Sequence, residues 1–564
     1  TTPIYYVNDR PHIGHCYATL VADVLARFQR LIRGEPMGGA AFSLDNDVFF
    51  LTGTDEHADK VVTSAAANNA TPQQWSDINA AEFKKAFAWI GATSDDFIRT
   101  TEPRHKDKVV AYIERLMASG DIYKGEFTGW YDVGQEEYLT DNAAREHEFK
   151  SPINKQPLVK RTEPCYFFRL GKYQEALLGL IQKADRFRVL PDSRRQEVLG
   201  RLKPPAEPLR DVPVSRPVTD DPATQWGIRI PGDPAHRVYV WIDALFNYLS
   251  VVDTAERRKF WPASVHLIGK DILWFHAVIW PALLLALGEE LPRAIFGTGW
   301  WISEGQKMSK SLGNFIDIDT LHRYAAWSPN KDALPLGVDA LRWFLATQGP
   351  LSGADTDFSI AKLVEVYNAD LANGVGNCAS RVGNMIEKYF DGVVPDPRGA
   401  TAHTPAGHTV FDFAVLCDRA LQGAIDALAE FRIDAALQQG IWLVGQVDLF
   451  INHTRPFTMA KEMDKVRAEG DSTRAAAMRE ELGRILYLCA EAVRIASLLV
   501  APAMPEKMNQ LWRTWGCLPP TGVALADLAA FGGSNGLQPG AQIAKGGILF
   551  MRADPKVPPP SSPV

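Results

Sequence analysis

One passage near the start of the chain constrains the fold more than any other. A strand-like run at residues 4–7 leads directly into a helix that begins at Pro-His-Ile-Gly-His, residues 11–15. A second apolar run at residues 49–52 is followed by a turn at 53–57 and an Ala-rich helix. Strands that alternate with Gly-containing turns and helices are typical of a parallel sheet with helical crossovers. The first part of the chain therefore predicts an α/β fold.

Composition excludes several classes of protein. The 564 residues carry a formal net charge of −7, which does not favour a nucleic-acid binder that is basic throughout. No apolar run reaches the about 18 residues of a membrane span, so we expect no membrane partner. The six cysteines are scattered without a Cys-x-x-Cys pair, which argues against a disulfide framework and indicates a reducing compartment. We expect a cytoplasmic protein, with the mitochondrion as the alternative location.

The composition and hydrophobic pattern of the chain change twice after this first part. Between about 103 and 237, aromatic and charged residues alternate and a Pro-rich stretch follows, which predicts an inserted module. Strand candidates at 265–268 and 294–298, with a very apolar helix at 272–287 between them, restore the α/β pattern. After about residue 359, apolar residues recur with helical spacing, and we expect a bundle of four or five helices.

Two histidines at the predicted helix start are the first candidates for chemistry. His12 and His15 lie three residues apart, so both rings can point to one side of the helix. A helix N-terminus favours anions, and imidazole donors aimed at an α-phosphate would stabilise charge in the transition state. Gly14 would leave space for a flat ring to lie on the backbone. Two other interpretations stay open: an ordinary surface pair, and an H-x-x-H metal pair that lacks an obvious third ligand.

A second candidate lies in the Gly- and Ser-bearing loop at 305–313. Lys307 and Lys310 alternate there with Ser309 and Ser311. Clustered ammonium groups and hydroxyls suit a departing pyrophosphate, and the flanking glycines permit the loop to move. Taken alone, such a loop is more often solvated surface. Together and in this order, the two motifs predict an enzyme that makes an acyl adenylate from ATP.

These two motifs resemble the signature sequences of class I aminoacyl-tRNA synthetases, and nearly the whole chain resembles the methionyl-tRNA synthetase family. The passages that carry this resemblance are Thr-Pro-Ile-Tyr-Tyr-Val-Asn at 2–8, Gly-Thr-Asp-Glu-His at 53–57, Tyr-Val-Trp-Ile-Asp-Ala-Leu at 239–245, Gly-Lys-Asp-Ile at 269–272 with Phe-His at 275–276, and Gly-Thr-Gly-Trp at 297–300. The resemblance implies an α/β Rossmann-type parallel-sheet catalytic domain with an inserted connective module, followed by an α-helical bundle that binds the anticodon.

The resemblance also implies domain boundaries and an activity. The implied domains are the first half of the catalytic domain at 1–104, the connective module on the acceptor-stem side at 105–237, the second half of the catalytic domain at 238–300, the region of the lysine loop and stem contact at 301–360, the anticodon-binding domain at 361–535 and a C-terminal tail at 536–564. The implied activity is that of a methionine–tRNA ligase. ATP and L-methionine would give methionyl-adenylate and pyrophosphate with Mg²⁺ assisting, and the methionyl group would then pass to tRNA(Met).

Each substrate would have its own set of residues. The implied methionine pocket consists of Ile4, Tyr6, Asp55, Trp241, Ala244, Leu245, Tyr248, Ile272 and His276, in which Asp55 holds the ammonium group. The implied ATP-binding residues are His12, Gly14, His15, Gly269, Asp271, Lys307 and Lys310, of which His12, His15, Lys307 and Lys310 would act in catalysis. An aromatic pocket suits a thioether, because sulfur packs well against rings. Outside this context Trp241 and Tyr248 would be ordinary core residues.

The helical half of the chain would read the anticodon. Asn377 and Arg381, four residues apart, match the anticodon-contacting pair of the family, and Phe457 takes a stacking position where many relatives have Trp. An amide and a guanidinium can hydrogen-bond exposed base edges, and an aromatic ring can stack on a splayed base. The alternative for Asn377 and Arg381 is ordinary helix capping and surface pairing.

Two departures from the family bear on metals and assembly. Many relatives carry zinc knuckles in the inserted module, whereas residues 129–168 contain only Cys165. One cysteine cannot build a tetrahedral site, so we expect no structural zinc and no other bound metal site. We expect a monomer, because the chain lacks the C-terminal dimerisation module of some relatives.

Three rival functions stay open at this stage. Another class I specificity, such as leucine, valine or cysteine, would share both motifs. A small nucleotidylyltransferase would share the histidine pair but would lack the helical half. A non-catalytic tRNA-binding or scaffold protein is the rival from a different class, and the intact His and Lys pairs argue against it.

Overall fold

The computed structural model describes residues 1–557 except 9, 39–42, 133–136, 140, 152–154, 205–206, 304, 309–313, 408 and 545–546. The strands are β1 Ile4–Tyr6, β2 Leu51–Asp55, β3 Asp96–Arg99, β4 Ile122–Asp132, β5 Glu137–Leu139, β6 Val159–Phe168, β7 Arg188–Leu190, β8 Val212–Pro213, β9 Ser215–Pro217, β10 Arg229–Ile230, β11 Asp233–Val238, β12 His266–Gly269, β13 Ala294–Thr298, β14 Trp301–Ser303, β15 Gln306–Lys307, β16 Thr356–Phe358, β17 Ala402–His403 and β18 Phe411–Asp412.

Helices follow the strands in alternation and then dominate the second half of the chain. The α-helices are α1 Ile13–Arg33, α2 Asp59–Ala67, α3 Pro72–Trp89, α4 Pro103–Ala118, α5 Asp141–Glu146, α6 Gln174–Lys183, α7 Asp192–Leu202, α8 Pro222–Gln225, α9 Val240–Leu245, α10 Asn247–Ser250, α11 Trp280–Leu287, α12 Ile318–Ala326, α13 Val338–Gln348, α14 Ile360–Val366, α15 Asn377–Phe390, α16 Phe413–Ala429, α17 Ile433–Thr454, α18 Pro456–Ala468, α19 Ser472–Val500, α20 Pro505–Thr514 and α21 Leu525–Leu528. Shorter 3₁₀ turns cover Leu170–Tyr173, Arg258–Phe260 and Lys270–Ile272, and π-helical turns cover Phe275–Ile279 and Tyr367–Gly376.

The chain divides into two compact units, and both are assembled from separate segments. The first unit consists of Thr1–Arg10, Leu51–Lys84 and Asp96–Gly297. The second unit consists of Pro11–Phe50, Lys85–Asp95 and Thr298–Val564.

A parallel sheet forms the centre of the first unit. Strand β2 pairs in parallel with β1 on one side and β3 on the other, and a second sheet has the order β12-β13-β7. Thr1 joins the two sheets, because its N–H donates to the Val265 carbonyl at 3.0 Å and its own carbonyl accepts from the Leu267 N–H at 3.0 Å. This is the hydrogen-bond pattern of a parallel pair. The expected parallel α/β sheet is therefore present.

Close approach between strands explains one glycine of the Gly-Thr-Asp-Glu-His passage. Every residue of β2 is buried, and a Cβ atom added at Gly53 would lie 2.1 Å from the Ile98 carbonyl oxygen of β3. Only a residue without a side chain permits this spacing. Gly53 therefore sets how closely β2 and β3 pack.

Antiparallel strands fill the region that the sequence predicts as an inserted module. The long strands β4 and β6 pair from Ile122↔Phe168 to Tyr131↔Val159, within a sheet of order β5-β4-β6-β8. A smaller sheet has the order β10-β11-β9. The change from parallel to antiparallel pairing coincides with the change in residue pattern between about 103 and 237.

A buried ion network holds α1 and α13 together in the second unit. Asp23 of α1 accepts hydrogen bonds from Arg27 at 2.8 Å, from Arg342 at 2.7 Å and from the Thr93 backbone at 2.8 Å. Arg342 also donates to the carbonyl oxygens of Ile90, Pro502 and Ala503. Burial by itself would raise the pKa of Asp23, but the two arginines outweigh it and hold this pKa below its ordinary value.

The expected helical bundle occupies the C-terminal part of the second unit. Its central helix is α19, which contacts α15, α16, α17 and α18 and is buried almost continuously from Leu482 to Val500. Among the described residues, no helix combines the length and the apolar character that a membrane crossing requires.

Some element boundaries differ from the expectations. The second strand runs over Leu51–Asp55 and not 49–52, and the first helix starts at Ile13 because His12 is its N-cap. The continuous helix expected at 272–287 is a 3₁₀ turn, a π-helical turn and then α11. The apolar pattern predicts burial correctly, but it does not distinguish a π-helical turn from an α-helix.

We predict that Arg342→Met lowers the free energy of unfolding of the second unit by about 3–5 kcal/mol, because it leaves a buried carboxylate with fewer partners. Urea unfolding followed by circular dichroism measures the loss. Arg398→Met is the matched control: Arg398 pairs with Glu480 at 2.8 Å on the surface, and its loss should cost about 0–1 kcal/mol. Equal unfolding midpoints for the two variants would contradict the prediction.

Candidate active site

A cavity lies in the first unit where β1 and β2 end. Ligands bind at the carboxyl ends of the strands in open α/β sheets, and Tyr6 and Asp55 are the last residues of these two strands. The cavity is lined by Pro3, Ile4, Tyr6, Asp55, Trp241, Ala244, Leu245, Asn247, Tyr248, Ile272 and His276. The structure thus brings together all nine residues of the predicted methionine pocket.

Aromatic rings form one wall of the cavity. Trp241 stacks on Phe275 with ring centroids 4.1 Å apart and planes 12° from parallel. Tyr6 meets Trp241 edge to face at 6.0 Å. Paired rings of this kind are held rigidly and present polarisable surface, which suits an apolar or sulfur-containing group.

A neutral polar pair, Tyr248 and His276, forms another part of the wall. The His276 Nδ1 lies 3.0 Å from the Ile272 carbonyl oxygen and therefore donates to it. Its Nε2 is then the acceptor, so the Tyr248 hydroxyl donates to Nε2 at 2.9 Å. Burial lowers the pKa of His276 to about 4 and raises the pKa of Tyr248, so both side chains stay uncharged at neutral pH.

Asp55 is the one charged side chain among the cavity-lining residues. It is 2% exposed, and its Oδ1 has no hydrogen-bond partner among the described residues. Burial, and then the nearby Asp243 and Glu56, raise the pKa of Asp55 well above its usual value, while a hydrogen bond from the His57 backbone opposes the rise. A buried carboxylate oxygen without a partner is costly, and a cation in the cavity would relieve that cost.

The histidine pair caps α1 in the second unit. The Gly14 N–H donates to the His12 Nδ1 at 3.0 Å, and the His12 N–H donates to the His15 Nδ1 at 3.2 Å. Both Nδ1 atoms are acceptors, so each neutral ring carries its proton on Nε2. The ring centroids lie 3.8 Å apart, and burial and the adjacent His12 lower the pKa of His15 well below its usual value. The two rings do share one side, as their spacing predicted.

Gly14 also has a structural role in this cap. A Cβ atom added there would lie 2.9 Å from the His12 Cε1, so the glycine makes room for the ring that caps the helix.

Comparisons with known proteins decide the family. The family described as tRNA synthetases class I (M) matches residues 1–147 and 146–383. A methionine–tRNA ligase of Streptomyces coelicolor is 38% identical over 99% of this chain and 96% of its own length, and one of Caldanaerobacter subterraneus subsp. tengcongensis is 37% identical over 98% of this chain and 78% of its own. The chain belongs to the methionine–tRNA ligase family of class I tRNA synthetases.

Solved structures agree with this family assignment. A Mycobacterium tuberculosis methionyl-tRNA synthetase bound by methionyl-adenylate matches with a TM-score of 0.77 and 31% identity, over 98% of this chain and 99% of that one. A free-state structure of the Mycobacterium tuberculosis enzyme matches with a TM-score of 0.74 and 29% identity, over 98% of this chain and 97% of that one. The predicted class I fold, with a parallel sheet and a helical C-terminal region, is therefore confirmed.

The residues expected to bind ATP in this family fall in both units. Gly269 ends β12 in the first unit, and Asp271 follows it in an exposed 3₁₀ turn. A Cβ atom added at Gly269 would lie 2.6 Å from the Asp271 Oδ1, so this glycine permits the carboxylate to fold back over the strand end. Lys307 lies in β15, opposite Ile302 of β14, whereas Lys310 lies outside the described residues.

The three residues expected to contact the anticodon lie in the helical part of the second unit. Asn377 is exposed at the start of α15, and Arg381 of the same helix donates to Asp448 of α17 at 2.8 Å. Phe457, at the start of α18, is 43% exposed. Such exposure is unusual for a phenylalanine and leaves its ring available to a flat ligand. The roles of these residues stay predictions.

Sequence reasoning missed two cavity residues, Pro3 and Asn247. Pro3 precedes Ile4, and Asn247 follows Ala244 by three residues, donating to its carbonyl at 2.6 Å. Their position beside predicted pocket residues was the available signal. The buried Asn247 Oδ1 has no partner among the described residues, which gives the cavity a second polar atom.

No group of three or more His, Cys, Asp and Glu side chains among the described residues is arranged to hold a metal ion. Cys165 is buried, and its thiol lies 3.4 Å from the Ser215 carbonyl oxygen. The expected absence of structural zinc stays a prediction.

We predict that His276 remains neutral throughout the physiological range, because its pKa of about 4 lies below it. Histidine-selective ¹⁵N NMR should show a protonated Nδ1 and an unprotonated Nε2, with no titration above about pH 5.5. His276→Gln assigns the signal by removing it. Titration of that signal between about pH 6 and 7 would show that the assigned tautomer and burial are incorrect.

Proposed function

We propose that this chain activates L-methionine with ATP, forming methionyl-adenylate and pyrophosphate, and then transfers the methionyl group to tRNA(Met). The cavity in the first unit is the observation that carries the proposal. It has one carboxylate, Asp55, with an unpartnered oxygen, and its remaining wall is aromatic, aliphatic or uncharged. An α-amino acid with a soft, apolar side chain meets both requirements, because its ammonium group can pair with Asp55 and its side chain can pack on the rings.

In this proposal the thioether packs beside Trp241 and Tyr6, and the Tyr248–His276 pair closes the pocket. A cationic or anionic side chain would lose its hydration there without gaining a partner of opposite charge, which excludes it. Size and shape then discriminate among apolar side chains, although one methylene group is worth only about 1–3 kcal/mol. Leucine and valine should therefore be poor substrates, whereas lysine and glutamate should be excluded.

ATP is the second substrate. His12 and His15 would donate from Nε2 to its phosphates at the start of α1, beside Gly14, and Asp271 next to Gly269 would accept from the ribose hydroxyls. Lys307 and Lys310 would neutralise the departing pyrophosphate. Mg²⁺ enters with ATP as part of that substrate, because the phosphate oxygens are themselves hard ligands.

The chemical step is an in-line displacement. A methionine carboxylate oxygen attacks the α-phosphorus, the new C–O–P bond forms, and the bond from that phosphorus to the bridging oxygen of pyrophosphate breaks. The residues named here hold, orient and neutralise, and none forms a covalent bond with the substrate. A monomer in the cytoplasm completes the proposal, and light scattering tests the oligomeric part.

Asn377, Arg381 and Phe457 are proposed to read the anticodon. Asp448 holds the Arg381 guanidinium through one N–H group, and the planar fork has further N–H groups that can meet a base edge. The exposed Phe457 ring offers a stacking surface.

We predict that pyrophosphate exchange by the purified chain depends on methionine. Its kcat/KM for methionine should exceed that for leucine or valine by about 100-fold or more, because those side chains fit the pocket less well. ATP–pyrophosphate exchange measured with each amino acid in turn tests this. Exchange with leucine and none with methionine would overturn the assigned specificity. Absence of exchange with every amino acid would favour a non-catalytic tRNA-binding protein.

The same assay tests the histidine cap with a His15→Ala variant. Removing a donor to the transition state should lower the exchange rate by about 10²–10³-fold. Binding of tRNA should be unchanged, because the anticodon-reading residues are elsewhere in the chain. Full exchange by this variant would contradict the assigned role of His15.

For the helical region we predict that Phe457→Ala raises the KM for tRNA(Met) about 5- to 150-fold, because a base–aromatic stack contributes about 1–3 kcal/mol. Phe457→Trp should retain or improve the affinity. Leu518→Ala is a matched control, since Leu518 is also an exposed apolar side chain, 53% exposed and outside the proposed site. Aminoacylation kinetics measure the effect, and equal KM values for the Phe457→Ala and Leu518→Ala variants would argue against stacking.

A further inference from the structure

A buried carboxylate with two histidine partners lies behind the cavity wall in the first unit. Asp243 of α9 is 1% exposed. Its Oδ2 accepts from the His57 Nδ1 at 2.6 Å, and its Oδ1 accepts from the His105 Nε2 of α4 at 2.7 Å. Burial by itself would raise the pKa of Asp243, but the two histidines outweigh it and hold this pKa at about 2. Asp243 is therefore an ionised group in a site closed to water.

One end of this hydrogen-bond chain reaches the cavity through α10. The His105 Nδ1 lies 2.9 Å from the Ser250 hydroxyl, which in turn donates to the Asn247 carbonyl at 3.2 Å. Asn247 lines the cavity and donates from its amide to the Ala244 carbonyl. A single carboxylate thus links α4 to the two short helices that carry much of the cavity wall.

The other end reaches Asp55. The His57 backbone N–H donates to the Asp55 carboxylate, and the His57 ring packs edge to face on Trp226 at 5.5 Å. The Trp226 indole N–H donates to the Glu56 carbonyl at 2.6 Å. The position of the His57 ring therefore also fixes the backbone that supports Asp55.

Charge connects the same groups. The titratable groups that act on Asp55 are Asp243 and Glu56, and Asp55 itself acts on Tyr6. Arg99 already binds the Glu56 carboxylate through two hydrogen bonds, at 2.7 and 3.0 Å. Asp243 is therefore the neighbour whose effect on Asp55 depends on how well His57 and His105 balance its charge.

We propose that Asp243, held between His57 and His105, is a positioning residue that fixes the cavity wall and sets how readily Asp55 carries the negative charge that binds the substrate ammonium. This proposal rests on the proposed function, in which Asp55 binds that ammonium. None of these three residues touches the cavity, so each acts through another residue.

Substitutions of Asp243 and of His105 should shift the pKa of Asp55 in opposite directions. Asp55 binds the ammonium only when ionised, so methionine binding is present above the pKa of Asp55 and is lost as the pH falls through it. Asp243→Asn removes a like charge and should lower the pKa of Asp55. His105→Leu leaves the Asp243 charge less balanced and should raise it. Simple loosening of the wall would move both variants in the same direction.

The experiment is the pH dependence of the KM for methionine in pyrophosphate exchange, from about pH 5 to pH 8.5, with the KM for ATP measured in parallel. The acid limb of the methionine profile is the range in which the KM for methionine rises as the pH falls. It should move by about one pH unit, to lower pH in Asp243→Asn and to higher pH in His105→Leu. The KM for ATP should change less than twofold. Asp253→Asn is the matched control, because Asp253 also binds α4, through Tyr112 at 2.8 Å and Lys108 at 3.0 Å, without acting on Asp55; its acid limb should not move.

Acid limbs that move in the same direction, or that both stay in place, would overturn the proposal. If Asp243→Asn does not fold, as judged by circular dichroism, His105→Leu decides alone, because it removes a hydrogen-bond donor to Asp243 and leaves the Asp243 carboxylate in place. A limb at higher pH in that variant supports the proposal, and an unmoved or lower limb overturns it. Asp55→Asn separates the two levels: an unchanged methionine profile in that variant contradicts the proposed function, whereas a lost acid limb leaves only the role of Asp243 in question.

Discussion

The first unit depends on one constraint, which is that Asp55 places a carboxylate in a mostly apolar cavity with one oxygen, Oδ1, lacking a partner among the described residues. Taking a carboxylate out of water costs several kcal/mol, so each acidic group nearby must be neutralised if Asp55 is to remain ionised. Arg99 pairs with Glu56, and His57 and His105 hydrogen-bond the Asp243 carboxylate. These partners limit how far the neighbouring carboxylates raise the pKa of Asp55 at the end of β2. The part of the wall formed by Tyr248 and His276 is uncharged, because burial lowers the pKa of His276 to about 4.

In the second unit, by contrast, the buried charges of Asp23 and Arg342 are paired with each other. Asp23 receives hydrogen bonds from two arginines and from Thr93, and Arg342 uses three further donors on three carbonyl groups. Such a network specifies which segments meet, since any other arrangement would leave a buried charge or carbonyl without a partner. Here it joins α1, the segment Lys85–Asp95, α13 and the turn after α19, which come from distant parts of the chain. Paired charges therefore hold separate segments together in the second unit. In the first unit, the unpartnered oxygen of Asp55 can bind a ligand instead.

The sequence predicted most of what depends on local pattern. The alternation of strands, Gly-containing turns and helices indicated the parallel sheet. The nine pocket residues were implied by the family resemblance and not by local pattern, and they line one cavity because they lie at strand ends and on short helices. The network around Asp243 was not predictable in this way, because its partners His57 and His105 lie 186 and 138 residues away in the chain. Nor was the π-helical turn at Phe275–Ile279, since a hydrophobic pattern reports burial and does not report the number of residues per turn. Contacts between distant segments, and departures from ideal helices, are settled by packing.

His12 and His15 cap the start of α1 and are also the residues proposed to bind the phosphates of ATP. The first N–H groups of a helix ordinarily need acceptors from a Ser, Thr, Asp or Asn side chain, or from a bound anion. In α1 the two imidazole Nδ1 atoms supply those acceptors, so two backbone donors are already satisfied before any ligand binds. Each ring therefore accepts a hydrogen bond from a backbone N–H at Nδ1 and carries an N–H donor at Nε2. The Nε2–H lies farther from the helix than the backbone amides do. A lysine at either position would bring a stronger charge but could accept no hydrogen bond from the backbone, and the helix start would lose its cap. A neutral histidine has an acceptor nitrogen on one side of the ring and a donor N–H on the other. The lowered pKa of His15 keeps its ring in this neutral form.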